Sequence, residues 1–256
     1  MEKSEFTHEM EEFGTKMYVL AILCIVSIFT GSMIQLVMFI LLLISLKHIK
    51  EANLELEDVR LEKFRKNIIY AIIIGIVGGI VIIIIGVIVV WLLLQSIPGF
   101  PFSAPLTVSE FEQLAPTIRI LLLVLLGGIP VGAIALGLVG MGWKHLESFF
   151  EKNSGLFPNQ ISRESIEGSG KIGKAYLLLL VSLLVGAVMV LIAFILFPQI
   201  EVLIKALIAE TTPSLDLVIL LVAVFAVPGI AMGILGLISF ILMVLGYFEL
   251  ANLRKL

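Results

Sequence analysis

Two Lys-His pairs are the most chemically suggestive residues in this chain. Lys47-His48 and Lys144-His145 each close an apolar stretch, at a constant spacing of 97 residues. Histidine titrates near neutrality and is the commonest metal ligand, so the two imidazoles would bind a metal or sense pH if the stretches met. Two nitrogens do not complete a zinc site, which takes four ligands. His8 stands alone in an acidic leader and reads as solvated.

Other reactive groups sit at the margins of the apolar stretches. Arg119 and Asp216 fall within a turn of a stretch's start and Glu249 at a stretch's end. Each can therefore snorkel to the headgroups, as charges near helix ends in lipid do. Ser27, Thr30, Ser32 and Gln35 cluster around Gly31. They could bind a solute or satisfy backbone freed by a turn there, and broken helices in lipid need such local partners. The sequence contains no HExxH, nucleophile elbow, Gly-rich phosphate loop or paired carboxylates within an apolar stretch. The expectation is a protein without catalytic residues, metal or cofactor.

The elements that would position these groups are five uncharged stretches: Met17–Leu46, Ile68–Gln95, Ile120–Trp143, Ala175–Phe197 and Leu217–Tyr247. A hydrocarbon layer about 30 Å thick demands apolar helices of this length. Across 256 residues the chain is 60% hydrophobic and 14% charged, with a mean hydropathy of +1.16. Soluble domains carry about 25% charged residues, so water is excluded as the solvent for most of the chain. The stretches lack the period-two alternation of a transmembrane barrel, leaving an all-α, polytopic membrane protein. The net charge of −3 suggests no nucleic-acid partner. The single cysteine, Cys24, permits no intrachain disulfide and reads as a small buried apolar residue. Met1 to Lys16 is acidic and lacks the layout of a secretory signal.

An imperfect internal repeat organises the chain as one integral membrane domain over 1–256, with units near 17–95, 117–197 and 215–253, the last incomplete. Each begins with an apolar stretch, a Gly or Pro break and a second apolar stretch. The breaks are Gly31, Gly128 to Pro130, and Pro228-Gly229; the tails Ala52-Asn53 and Ala251-Asn252 also correspond. Small residues four apart recur at Gly75/Gly79, Ser182/Gly186, Gly128/Gly132 and Gly229/Gly233. Such spacing lets helices approach closely in lipid, within the monomer or across a homo-oligomer or other membrane subunit. This layout, with its Leu-Lys-x-Ile-like end and long Ile/Gly-rich stretches, resembles multi-pass membrane families of archaea and bacteria classed as domains of unknown function. The resemblance implies a fold type and a prokaryotic plasma membrane, and brings no activity or site residues.

The breaks leave the number of crossings open between five and eight. Met17 to Leu46 as one helix would be roughly 45 Å long, and its halves roughly 20 Å each. Single crossings gather thirteen of the 17 basic residues on one side and paired ones eleven, both in keeping with the positive-inside rule. Breaks at equivalent positions, two of them with proline, favour about eight helical segments. The connector 47–66 is expected as a cytoplasmic interfacial helix with Glu62 paired to Lys66, its basic residues meeting anionic headgroups. Residues 96–116, with four prolines and no Lys or Arg, are expected as an outward loop, and 152–170 as a flexible loop. Gln199 to Glu210 is expected to lie at the outer interface with Glu201 and Lys205 paired. Function divides between a noncatalytic packing, subunit or membrane-organising protein and a small-solute carrier or channel, which uses broken helices to build a binding site.

Overall fold

The computed structural model describes residues 4–30, 32–96 and 107–256. Within them the chain is all α-helical: α1 Glu5–Thr30, α2 Ser32–Leu56, α3 Val59–Ser96, α4 Val108–Lys152, α5 Asn159–Ile195, α6 Phe197–Ile208 and α7 Leu215–Leu250. Short 3₁₀ turns follow α4 at Ser154–Leu156 and α7 at Ala251–Lys255. Five of these helices are long and apolar enough to cross a membrane. The polytopic helical class read from the sequence therefore holds.

The described residues hold seven helices where eight are expected: α4 runs unbroken through Pro116 and Pro130 and α7 through Pro228, while α6 adds a short one. A proline removes one hydrogen bond, and within lipid a helix has no better alternative for its remaining backbone groups. Gly31 lies outside the described residues. Residues 97–106 also lie outside them, and the rest of the expected outward loop is helical from Val108. There Thr107 and Glu110 form a capping box: the Thr107 N–H donates to Glu110 Oε2 at 2.8 Å and the Glu110 N–H to Thr107 Oγ1 at 3.3 Å. Ser214 caps α7 with a single bond, its Oγ accepting the Leu217 N–H at 3.4 Å.

Two connectors differ from expectation in where their helices begin and end. The expected interfacial helix over 47–66 is split between α2 and α3 at Glu57-Asp58, where Glu57 adopts a left-handed φ of 47°. Its inner positions Ile49, Ala52, Leu61 and Phe64 are fully buried. The expected loop over 152–170 is instead helical from Asn159. Its glycines mark close approach: a Cβ on Gly168 would stand 2.8 Å from the Gly246 carbonyl oxygen, and one on Gly170 would stand 2.6 Å from Glu147 Oε1.

The chain divides into two compact units. The first comprises Met1–Ile72, Ala135–Leu180 and Leu235–Leu256, and the second Ile73–Ile134 and Val181–Ile234. The first unit holds every described basic residue except Arg119 and Lys205. Its core is large and aromatic. Met10, Phe13, Met17 and Leu20 of α1 pack with Phe64, Trp143, Leu146, Phe149, Phe150, Ile172 and Leu253, all at most 1% exposed. The Trp143 ring meets Phe64 edge-on at 5.1 Å and Tyr247 at 6.1 Å, and Phe157 meets Phe6, Phe149 and Phe150. The unit's charges and its core belong together, because water drives apolar side chains inward and lipid does not.

The second unit shows the converse. Ile76, Val77, Ile80, Ile83 and Ile84 of α3 are all about half exposed or more, as a lipid-facing helix requires. One small cluster interrupts this pattern, where Phe111 and Ala115 of α4 bury against Phe197 at the start of α6. Beside it Lys205 reaches Glu112 at 2.7 Å and Glu201 at 2.8 Å, the second pair as expected from the sequence. These carboxylates, Glu112 first, hold the Lys205 ammonium above the ordinary lysine range.

A continuous α4 fixes sidedness at its two ends. In a background with Cys24→Ser, a cysteine at Ser154 should react with a membrane-impermeant maleimide only from the face carrying the 47–66 connector, and one at Ser109 only from the opposite face. Labelling of both from the same face would mean that α4 does not cross.

Candidate functional site

The polar end of the first unit is where most of the chain's charged and hydrogen-bonding side chains gather, and it is built around one corner. Asn53 accepts the Glu57 N–H on its carbonyl at 2.9 Å and the Asp58 N–H on Oδ1 at 2.8 Å. Asp58 then caps α3, taking the Arg60 N–H at 2.7 Å, the Arg60 guanidinium at 3.0 Å and the Asn153 amide at 3.2 Å. This network ends α2, starts α3 and ties both to the end of α4.

The residues singled out from the sequence are placed as follows. His48 Nδ1 lies 2.7 Å from Glu9 Oε2, joining α2 to the amphipathic start of α1. His145 sits on α4 near Lys63, so the two imidazoles have different partners. Among the described residues no group of three or more His, Cys, Asp or Glu side chains is placed to hold a metal. His8 and Asp216 are exposed and Cys24 is buried. Arg119 lies over the rings of Phe194 and Phe197 at 5.4 and 5.6 Å. Glu249 pairs with Lys171.

Near the first break, Ser27 donates to the Cys24 carbonyl at 2.6 Å and Thr30 to the Val26 carbonyl at 3.0 Å. These hydroxyls serve their own helix. Gln35 instead lines a cavity of about 220 Å³ in the first unit, with Leu20, Met38, Phe39, Leu42, Tyr176, Met243 and Tyr247. A further, more polar groove of about 620 Å³ runs along the start of α5 to Glu249 and Asn252. Its charges are largely satisfied along one helix face, Gln160 with Glu164 at 3.0 Å and Arg163 with Glu167 at 2.9 Å.

The third opening is different in character. Between α2 and α3 a crevice of about 290 Å³ is lined by Leu43, Leu46, Lys47, Lys50 and Glu51 on one side and Arg65 and Ile69 on the other. It combines three cations and one anion with an apolar wall. Lys50 is 3.9 Å from its chain neighbour Glu51, while Lys47 and Arg65 form no ion pair among the described residues. The sequence indicated that basic residues gather in this connector. It gave no sign that α3 would set Arg65 opposite Lys47 and Lys50, because that depends on the turn at Glu57.

Comparison with known proteins finds no matching family model, no matching curated protein and no matching solved structure.

Proposed function

We propose that this membrane protein is noncatalytic and acts through helix packing, as a subunit or membrane-organising component of a prokaryotic plasma membrane. The observation that carries this reading is the close side-chain packing about Gly128 and Gly132, where α4 runs on without a break. A Cβ on Gly128 would stand 2.8 Å from Ile82 Cδ1 and one on Gly132 would stand 3.2 Å from Leu183 Cδ2, while Val131 closes on Gly78. Side chains therefore cover the backbone at Gly128 and Gly132 that a carrier would expose to its solute, and the crevice of about 280 Å³ beside them, lined by Gly78, Ile82, Gly127 and Val131, is apolar. The ionisable groups of the first unit support the same reading, since Glu9, Asp58 and Lys171 are engaged in contacts between helices. Gly75, Gly79, Gly229 and Gly233 have open space where a Cβ would be and offer faces for a second copy or another subunit.

Transport is the second reading, favoured by the cavity at Gln35, four residues beyond Gly31. Single cysteines at Ile82, Leu183 and Gln35, in a Cys24→Ser background, separate the two. Packing predicts that all three resist a water-soluble maleimide in intact membranes. Reaction at Ile82 or Leu183 would place water along this part of α4 and favour a carrier.

A further inference from the structure

We infer that the crevice between α2 and α3 is a site for the headgroup of an anionic phospholipid, its phosphate held by Lys47, Lys50 and Arg65. Several cations of the first unit have acids close by: Lys16 has Glu12 at 2.9 Å, Arg60 has Asp58 at 3.0 Å and Lys66 has Glu62 at 2.5 Å, whereas Lys63, Lys144 and Lys152 form no ion pair among the described residues but do not converge on a shared crevice. Here three cations face one carboxylate, and two of the three have no ion pair among the described residues. A phosphate supplies the missing negative charge, and Arg65, half-buried, presents a planar fork suited to two of its oxygens.

Depth points to lipid as the source of that phosphate. Lys47 is the first charge after the uncharged stretch of α2, and Arg65 lies three residues before the stretch of α3 begins. The cations therefore stand where hydrocarbon gives way to headgroups, the level at which basic pockets between helices take acidic lipids. Leu43, Leu46 and Ile69 line the same crevice on the hydrocarbon side and give an acyl chain a wall to follow. Free phosphate would use the cations and leave that wall unused. The arrangement belongs to the first repeat-like unit alone, because the residue corresponding to Lys50 in the second is Glu147.

The test is lipid retention by the purified full chain, read by mass spectrometry of the intact complex after titration with phosphatidylglycerol or phosphatidylcholine. The wild type should retain phosphatidylglycerol selectively. Replacing Lys47, Lys50 and Arg65 together by Gln should weaken retention on the order of a hundredfold, since each basic residue near the surface contributes severalfold. A charge-matched control, Lys63, Lys144 and Lys152 to Gln, should stay within about threefold of wild type. If the triple variant does not fold, Lys47→Gln and Arg65→Gln singly carry the test at about fivefold each. Equal loss in crevice and control variants would mean diffuse surface charge and overturn the site. Inorganic phosphate stabilising the lipid-free chain as well as lipid does would reassign the crevice to a free anion and overturn the lipid assignment.

Discussion

Gly246→Ala should destabilise the protein, although the same change in an unobstructed helix stabilises it. Within a helix, alanine is favoured over glycine by about 1 kcal/mol. At Gly246 the new Cβ would lie 2.5 Å from Ile172 Cγ1 and 2.6 Å from the Gly168 carbonyl oxygen. The obstruction is reciprocal, since a Cβ on Gly168 would meet the Gly246 carbonyl oxygen and the Leu250 nitrogen at 2.8 and 3.1 Å. Backbone cannot rotate aside as a side chain can, so α5 and α7 would have to separate. Overpacking costs roughly 1–3 kcal/mol per inserted group, and Gly246→Val should exceed that range. Gly137 on α4 has open space at its Cβ position and is the control. Thermal unfolding in detergent should fall for Gly246→Ala and hold or rise for Gly137→Ala. Equal midpoints would show that α5 and α7 do not cross there.

Trp143→Ala should be the most damaging single truncation in the first unit. The side chain is fully buried, packs edge-on with Phe64 and Tyr247, and lies against the Cβ position of Gly173. Removing a buried Trp costs about 3–5 kcal/mol through lost transfer energy and the cavity left behind. Among the described residues the indole Nε1 has no hydrogen-bond partner. Trp143→Phe therefore forfeits no hydrogen bond and keeps most of the aromatic contact, so it should recover more than half of the loss. A Phe variant as unstable as the Ala variant would indicate that the indole nitrogen bonds to something in the folded protein.

The solvent of this chain was legible in its sequence, and its packing was not. Uncharged stretches such as Ile68–Gln95 announce lipid-facing helices, and α3 presents them so. The start of α1 is a difference from the sequence reading, which takes Met1 to Lys16 as an acidic leader: Phe6, Met10, Phe13, Met17 and Leu20 recur at helical spacing and are buried. Its acids share that helix with the core residues, and one of them, Glu9, faces His48 of α2. Gly168 and Gly170 signalled a flexible loop by composition, because a sequence does not distinguish a glycine that frees the backbone from one that admits a neighbouring helix. Pro130 and Pro228 suggested turns by a rule drawn largely from water, where a broken helix finds solvent partners. For the lipid crevice, Lys47, Lys50 and Arg65 were visible as charges. Their convergence depends on Glu57 taking a left-handed conformation, which L-residues other than Gly and Asn rarely adopt.

The approach of α1 to Ala251–Lys255 bears on how the protein is made. A Cβ on Gly14 would touch the Arg254 nitrogen and Leu253, so these backbones lie against each other, and Arg254 covers the Tyr18 ring at 4.0 Å. During synthesis α1 emerges roughly 240 residues before the segment that seals it. Its large apolar side chains can close on α2, α3 and α4 as those follow, but the face around Gly14 stays open until Leu253 and Arg254 arrive, so this seam is the last part of the core to be made.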